Sequence, residues 1–227
     1  MRRDLDTVLT RTATQGPELD VVRAFLESGI GKGRRDDQVS VFCEPLLETG
    51  YPDIVVVHWQ QSRAEAWPTA RADLTADDVK LLHSLARARC ALRAELGCRR
   101  HARSLERLVA AGVVTVSSRW VRCRPLGEIF AVSRIIALEA KVSDWRNGLR
   151  QAFLNTWFAS ESFLLVPRVP ARSQIVEEAR RAGVGVVDAS QRLTAPHVAA
   201  RRDRLPQSYA SWLFNEWAWR GFGTQIA

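Results

Sequence analysis

Lysine is almost missing from this chain. Of its 33 basic residues only Lys32, Lys80 and Lys141 are lysines, so its positive charge is carried by planar arginine forks suited to bidentate phosphate and base contacts. Cysteine is sparse as well. Cys43, Cys90, Cys98 and Cys123 form no CxxC pair and have no histidine at ligand spacing, which argues against a structural zinc site. Without an export signal they also argue against disulfides, and they read as reduced thiols in or near the core. No apolar run reaches the ~18 residues of a membrane-spanning helix. The opening Met1-Arg2-Arg3-Asp4-Leu5-Asp6 lacks the apolar stretch of a signal peptide, so a cytoplasmic protein without membrane contact is expected. There is no internal repeat and no low-complexity tract. His58, His83, His101 and His197 show no pairing pattern and receive no role.

A hydrophobic content of 46% beside 26% charged residues excludes wholesale disorder. The 227 residues allow one large domain or two small ones. Pro17 with Glu18 and Asp20 opens a helix that ends near Gly29, its apolar stripe being Leu19, Val22, Phe25 and Leu26. Residues 30–37 read as a loop, Gln38–Glu44 as a strand and Ile54–Trp59 as a β-branched strand buried on both faces. The two strands suggest a hairpin. Residues 60–73 read as a linker. Thr75, Ala76, Asp77 and Asp78 then cap a helix carrying Val79, Leu81, Leu82 and Leu85, followed by helical patterns at Cys90–Leu96 and Arg100–Ala111. Val113–Cys123 reads as two short strands about Ser117-Ser118. Beyond Pro125 come a strand at Arg134–Val142, a helix capped by Asp144 and reaching about Ala159, a strand at Ser162–Pro167, a helix at Gln174–Ala182 and a strand at Val184–Asp188. The expected fold class is α/β, a mixed sheet flanked by helices.

Two short motifs carry chemistry. Pro52-Asp53 precedes a buried strand, and Glu139-Ala140-Lys141 ends another. Residues i and i+2 of a strand share a face, so Glu139 and Lys141 point the same way. If the two strands are neighbours, Asp53 joins them. Paired carboxylates suit a hard divalent cation, and a lysine beside them can orient a water or offset charge on a phosphate. The plainer account is a solvated strand end with an ion pair.

These residues, in a helix–hairpin–strand–helix–strand order, resemble the PD-(D/E)XK superfamily, the restriction-endonuclease-like nucleases. The resemblance covers roughly residues 17–59 and 128–190. It implies that Asp53 and Glu139 bind Mg²⁺ or Mn²⁺ together with the Ala140 carbonyl, and that Lys141 assists the attacking water. Family members also carry an acid on the first helix and a glutamine on the helix after the ExK strand. Glu18 and Gln151 match these positions, with Glu27 or Glu44 as substitutes for Glu18 and a structural role open for Gln151. The gap from Asp53 to Glu139 is longer than the family pattern.

An insertion accounts for that gap. Three helices followed by a two-stranded hairpin is the order of a winged helix-turn-helix, so residues 74–125 are expected as a nested winged helix and residues 1–73 and 126–227 as a discontinuous nuclease-like core. The insertion holds eleven basic residues and four acids, an excess of seven against +8 for the whole chain. On its third helix His101, Leu105, Leu108 and Val109 form the expected inward stripe. Arg99, Arg103 and Arg107 recur every four residues on the expected outward face, with Arg100 beside them and Arg119 and Arg122 near a wing. This pattern anticipates double-stranded DNA as partner, although a winged helix also serves protein contacts and a solvated arginine face needs no ligand. The function expected is a Mg²⁺-dependent DNA endonuclease, with a non-cleaving DNA-binding transcription regulator as the alternative. A homodimer is expected if both strands are cut. The aromatic segment holding Tyr209, Trp212, Phe214, Trp217, Trp219 and Phe222 is expected to pack on the core or on a dimer partner, with base stacking the weaker option.

Overall fold

A computed structural model describes residues 8, 10, 15–28, 37–48, 50–96, 99–169, 174–190, 193, 195–222 and 224–225. Helix α1 (Pro17–Ser28) precedes strands β1 (Asp37–Cys43) and β2 (Ile54–Gln60), which pair antiparallel as the expected hairpin. The chain then forms a one-turn helix α2 (Gln61–Ala64), a 3-10 turn (Thr69–Asp73), α3 (Ala76–Ala88), β3 (Cys90–Leu92), a one-turn α4 (Arg93–Leu96), α5 (Arg99–Ala110), β4 (Val114–Val116) and β5 (Trp120–Cys123). It returns through α6 (Leu126–Ile129) to β6 (Val132–Ala140), α7 (Trp145–Asn155), β7 (Glu161–Val166), α8 (Gln174–Ala182), β8 (Gly185–Asp188), α9 (Tyr209–Trp219) and β9 (Thr224–Gln225). The loop expected at 30–37 lies outside the described residues except for Asp37, which begins β1.

The main sheet has the order β8-β7-β6-β2-β1-β9. β6, β7 and β8 run parallel, while β2 and β1 run antiparallel to their neighbours. Its faces follow from the two-residue side-chain period. Ile54, Val56, Ile136, Leu138 and Ala140 pack beneath Val21, Val22 and Phe25 of α1. On the opposite face, Leu164 and Val166 meet Leu149 and Ala152 of α7 and Ile175 of α8. Val55, Val57, Ile135 and Ala137 meet Trp212, Phe214 and Trp217 of α9. The same apolar cluster continues into Leu82, Leu108 and Val121, so α9 joins the main sheet to the inserted segment through one core.

Several expectations give way here. Residues 60–73 are not a linker. They hold α2 and the 3-10 turn, and Arg71 within them is fully buried. Cys90–Leu92 is a strand, because it pairs with Trp120–Arg122 and completes a second sheet of order β3-β5-β4. α7 stops at Asn155 rather than near Ala159. Val109 is 45% exposed, so it leaves the inward stripe of α5. The free thiol Cys43 is exposed instead of core, while Cys90 and Cys123 are half-buried. The edge pairing of β9 on β1 has no counterpart in the expectation. Among the described residues no helix is long and apolar enough to cross a membrane.

Arg71 is held by Glu216 of α9, with Nη2 2.7 Å from Oε1 and Nε 3.2 Å from Oε2, and Nη2 also donates to the Ile129 carbonyl at 2.6 Å. Asn215 and Trp219 donate to the same carboxylate, and the Arg71 guanidinium stacks 3.4 Å over the Trp67 ring. Burial raises the pKa of Glu216, but the charge and hydrogen bonds of Arg71 outweigh it and hold the carboxyl below its ordinary range. Removing one partner strands a buried charge. Arg71→Met or Glu216→Leu alone should therefore cost about 3–5 kcal/mol, and the double variant much less than the sum. Urea unfolding of the four proteins measures this, and additive losses would refute the coupling.

Candidate functional site

The motif strands β2 and β6 are neighbours. Their antiparallel register sets Ile54 opposite Leu138, which brings Asp53, just ahead of β2, level with Glu139. The Ala140 N–H donates to Asp53 Oδ2 at 2.7 Å, fixing the carboxylate against the end of β6. Glu139 is 4% exposed, and its Oε1 accepts a 2.6 Å hydrogen bond from Asn155 Nδ2 of α7. Lys141, one residue past β6, reaches to the other side of the sheet end and pairs with Glu18 Oε2 of α1 at 3.1 Å.

These side chains line one cleft of about 480 Å³ that runs from α1 across the sheet end to α7. Gln151 lines it too, and its Oε1 is buried without a hydrogen-bond partner among the described residues. Glu44 borders it at a φ of 45°, turning the chain after β1 so that its N–H reaches the Asp53 carbonyl at 3.0 Å. Asp53, Glu139, Ala140, Lys141, Glu18 and Gln151 are thus all brought to this end of the sheet. Glu27 is exposed and is not among the residues lining the cleft, so it drops out as a substitute for Glu18.

The electrostatics of the pair are strained. Burial pushes Glu139 up to about 8, helped by the Asp53 charge and opposed by Asn155 and Lys141. Burial raises Asp53 too, with Glu18 and Glu44 adding to the shift and the Ala140 N–H and Lys141 opposing it. Both carboxyls are thus shifted toward their protonated forms, Glu139 the further of the two. Among the described residues no group of three or more His, Cys, Asp or Glu side chains is arranged to hold a metal ion. A cation here would rest on two carboxylates supplemented by neutral oxygens.

Two residues that shape the site escaped the sequence reading. Asn155 lies one helical turn beyond Gln151, so the two share the sheet-facing side of α7. Gly148 lies one turn before Gln151. A Cβ there would strike the Cγ of Lys141 and come within 2.7 Å of Leu164 Cδ1. The glycine lets α7 pass directly over the lysine stem. An interior helical glycine costs roughly 1 kcal/mol relative to alanine, and that cost was the available signal.

The arginines of the inserted segment separate into different roles. Arg103 of α5 and Arg119 and Arg122 of β5 are exposed. Arg119 lies 5.4 Å over the Trp120 ring. Arg107 departs from the expected outward face. Its Nε and Nη2 bond the two oxygens of the fully buried Asp78 at 2.6 and 2.8 Å, locking α5 to α3. Buried carboxylates need a partner, and Asp78 on α3 draws Arg107 inward to supply it. Arg99 and Arg100 begin α5, and their side chains lie outside the described residues. No protein-family model, curated protein or solved structure matches the chain.

Gly148→Val should destabilise the fold by about 1–3 kcal/mol through overpacking on Leu164 and Lys141. An open helical position would give a change within roughly 0.5 kcal/mol. Denaturant midpoints distinguish the two.

Proposed function

We propose that the chain is a divalent-metal-dependent DNA endonuclease of the restriction-endonuclease-like type, with duplex DNA held by a nested winged helix. The observation that carries this reading is the meeting of Asp53, Glu139 and Lys141 in one cleft at the end of two neighbouring strands. The donor set fits Mg²⁺ or Mn²⁺. It is all oxygen, and each carboxylate keeps an oxygen beyond the hydrogen bond that positions it. The raised carboxyls supply a second argument, since a cation would favour the charged forms that burial and neighbouring acids disfavour.

In this reading Asp53, Glu139 and the Ala140 carbonyl hold the ion, with Glu18 on the opposite wall. The ion supplies a water of lowered pKa and neutralises charge on the phosphodiester. Lys141 donates to the attacking water or to a phosphate oxygen, its stem held by α7 and its head turned by Glu18. Gln151 lines the same cleft, and its carboxamide oxygen, which has no partner among the described residues, is free to accept a hydrogen bond there.

The order of helices α3, α4 and α5 followed by the β4–β5 hairpin supports the winged-helix reading of residues 74–125. Residues 1–73 and 126–227 are the nuclease-like core in this scheme. Arg103, Arg119 and Arg122, with Arg99 and Arg100 at the start of α5, hold the backbone. Arg107 positions α5 instead.

Supercoiled plasmid and linear duplex, incubated with Mg²⁺ or Mn²⁺, should be cleaved by the wild type. Glu139→Gln and Lys141→Met should each lose at least about a hundredfold. Equal activity in wild type and Glu139→Gln would overturn the assignment. Salt-sensitive binding without cleavage would leave a DNA-binding regulator as the better reading.

Binding measured against salt concentration tests the DNA face separately. Replacing Arg103, Arg119 and Arg122 together with alanine should lower the slope of log K on log salt by about 3, roughly one for each phosphate contact. Arg107→Ala should cost stability without an equal change in slope. An unchanged slope in the triple variant would refute the assignment of that face.

A further inference from the structure

A second cavity, of about 330 Å³, lies between the inserted segment and helices α6 and α9. Its walls come from the C-terminal half of α3, the end of β5, α6 and α9. The volume is within the range of small-molecule sites, about 300–1,000 Å³. It is distinct from the groove between α3 and α5, which is lined by Lys80, Ser84 and Arg103. The groove takes Asp77, Lys80, Leu81 and Ser84 from α3, and the cavity takes His83, Ala86 and Arg87. The helix thus stands between the two.

The lining is of two kinds. Leu126, Ile129 and Trp212 make an apolar wall. Leu126 is 42% exposed at the mouth, while Ile129 and Trp212 are buried at 2% and 0%. Arg87 and Arg89 bring two guanidinium groups, and among the described residues neither has an ion-pair partner, whereas Arg124 beside them is already bound to Glu128 at 2.6 Å. Arg89 also stands at a φ of 65°, a left-handed conformation that a non-glycine residue takes only where its surroundings hold it there.

Two buried polar atoms on lining residues have no partner among the described residues: Nε1 of Trp212 and Nδ1 of His83. An indole N–H can only donate, so Trp212 calls for an acceptor. Burial first, and then the nearby Arg87, lower the pKa of His83, which keeps its ring neutral and able to donate or accept.

We propose that this cavity binds a small organic anion, an acidic group on a flat apolar body. Its acid meets Arg87 and Arg89, and its body lies against Ile129, Leu126 and Trp212. A bare inorganic anion would leave the apolar wall unused. A DNA phosphate would reach the arginines from outside without entering between α6 and α9. The site does not depend on the chemistry of the Asp53–Glu139 cleft.

Isothermal titration of the full chain with 1-naphthoate and with 1-naphthyl phosphate tests this, with 1-naphthylmethanol and inorganic phosphate as comparators. One saturable site is expected for at least one of the aromatic anions, with the neutral alcohol and inorganic phosphate each at least tenfold weaker. The double variant Arg87→Ala/Arg89→Ala changes exposed side chains only, and its fold is checked by circular dichroism. It should weaken the aromatic anion at least tenfold, and Leu126→Asp at the mouth should weaken it as well. The proposal fails if neither aromatic anion binds saturably or if inorganic phosphate binds as tightly. It fails equally if the arginine variant leaves the affinity unchanged, or if it loses duplex DNA binding while retaining the aromatic anion.

Discussion

The buried ion pair of Arg71 and Glu216 ties the segment between β2 and β6 to α9. The chain between the adjacent strands β2 and β6 must leave the sheet and return to it without spreading them. Arg71 lies on the way out, Ile129 and Ala131 lie on the way back, and α9 grips both. Glu216 takes the arginine, and Asn215 Oδ1 accepts the N–H groups of Ala131 and Val132 at the start of β6. Arg220 closes the loop by donating to the Arg71 carbonyl at 3.0 Å. Arg71, Asn215 and Glu216 are buried and hydrogen-bonded within the cluster, so removing one leaves another unsatisfied. The aromatic residues of α9 complete the arrangement by filling the space between the sheet and the inserted helices.

This clamp bears directly on the candidate site. Asp53 precedes the strand that leads into the insertion, and Glu139 ends the strand that leads out of it. Their meeting requires β2 and β6 to stay in register from Ile54 to His58, although more than seventy residues separate the strands in the chain. α7 then presses Asn155 onto Glu139 and passes Gly148 over Lys141, while α1 brings Glu18 from the other face. Two carboxyls raised chiefly by burial, Glu139 also by the charge of Asp53 and Asp53 by those of Glu18 and Glu44, are the electrostatic result. Such an arrangement costs stability, because burial disfavours the charged form of each carboxyl.

The inserted segment also shows why charge counts need geometry. Four-residue spacing placed Arg99, Arg103 and Arg107 on one helical face, and spacing reports only angular position. Whether an arginine is free depends on what stands opposite. Asp78 sits at the third helical position of α3, where it closes a capping box with Thr75. The same carboxylate, buried by the packing of α3 against α5, then recruits Arg107. Arg103, one turn earlier, stays exposed.

The sequence by itself determined most of what is local. The continuous β-branched run of Ile54–Trp59, the caps at Thr75 and Asp144, the proline opening α1 and the Glu139-Ala140-Lys141 spacing depend on neighbours within a few positions. They were legible for that reason. The strand at Cys90–Leu92 was misread as helix because its only support is pairing with a strand thirty residues away. Residues 60–73 passed for a linker because their polar composition concealed a buried arginine whose partner lies 145 positions on. The partners of Glu139, Lys141 and Arg107, the closeness of Gly148 to the lysine and the cavity beside Trp212 were decided by the tertiary structure alone. Burial and pairing are properties of which surfaces meet, and no local pattern records that.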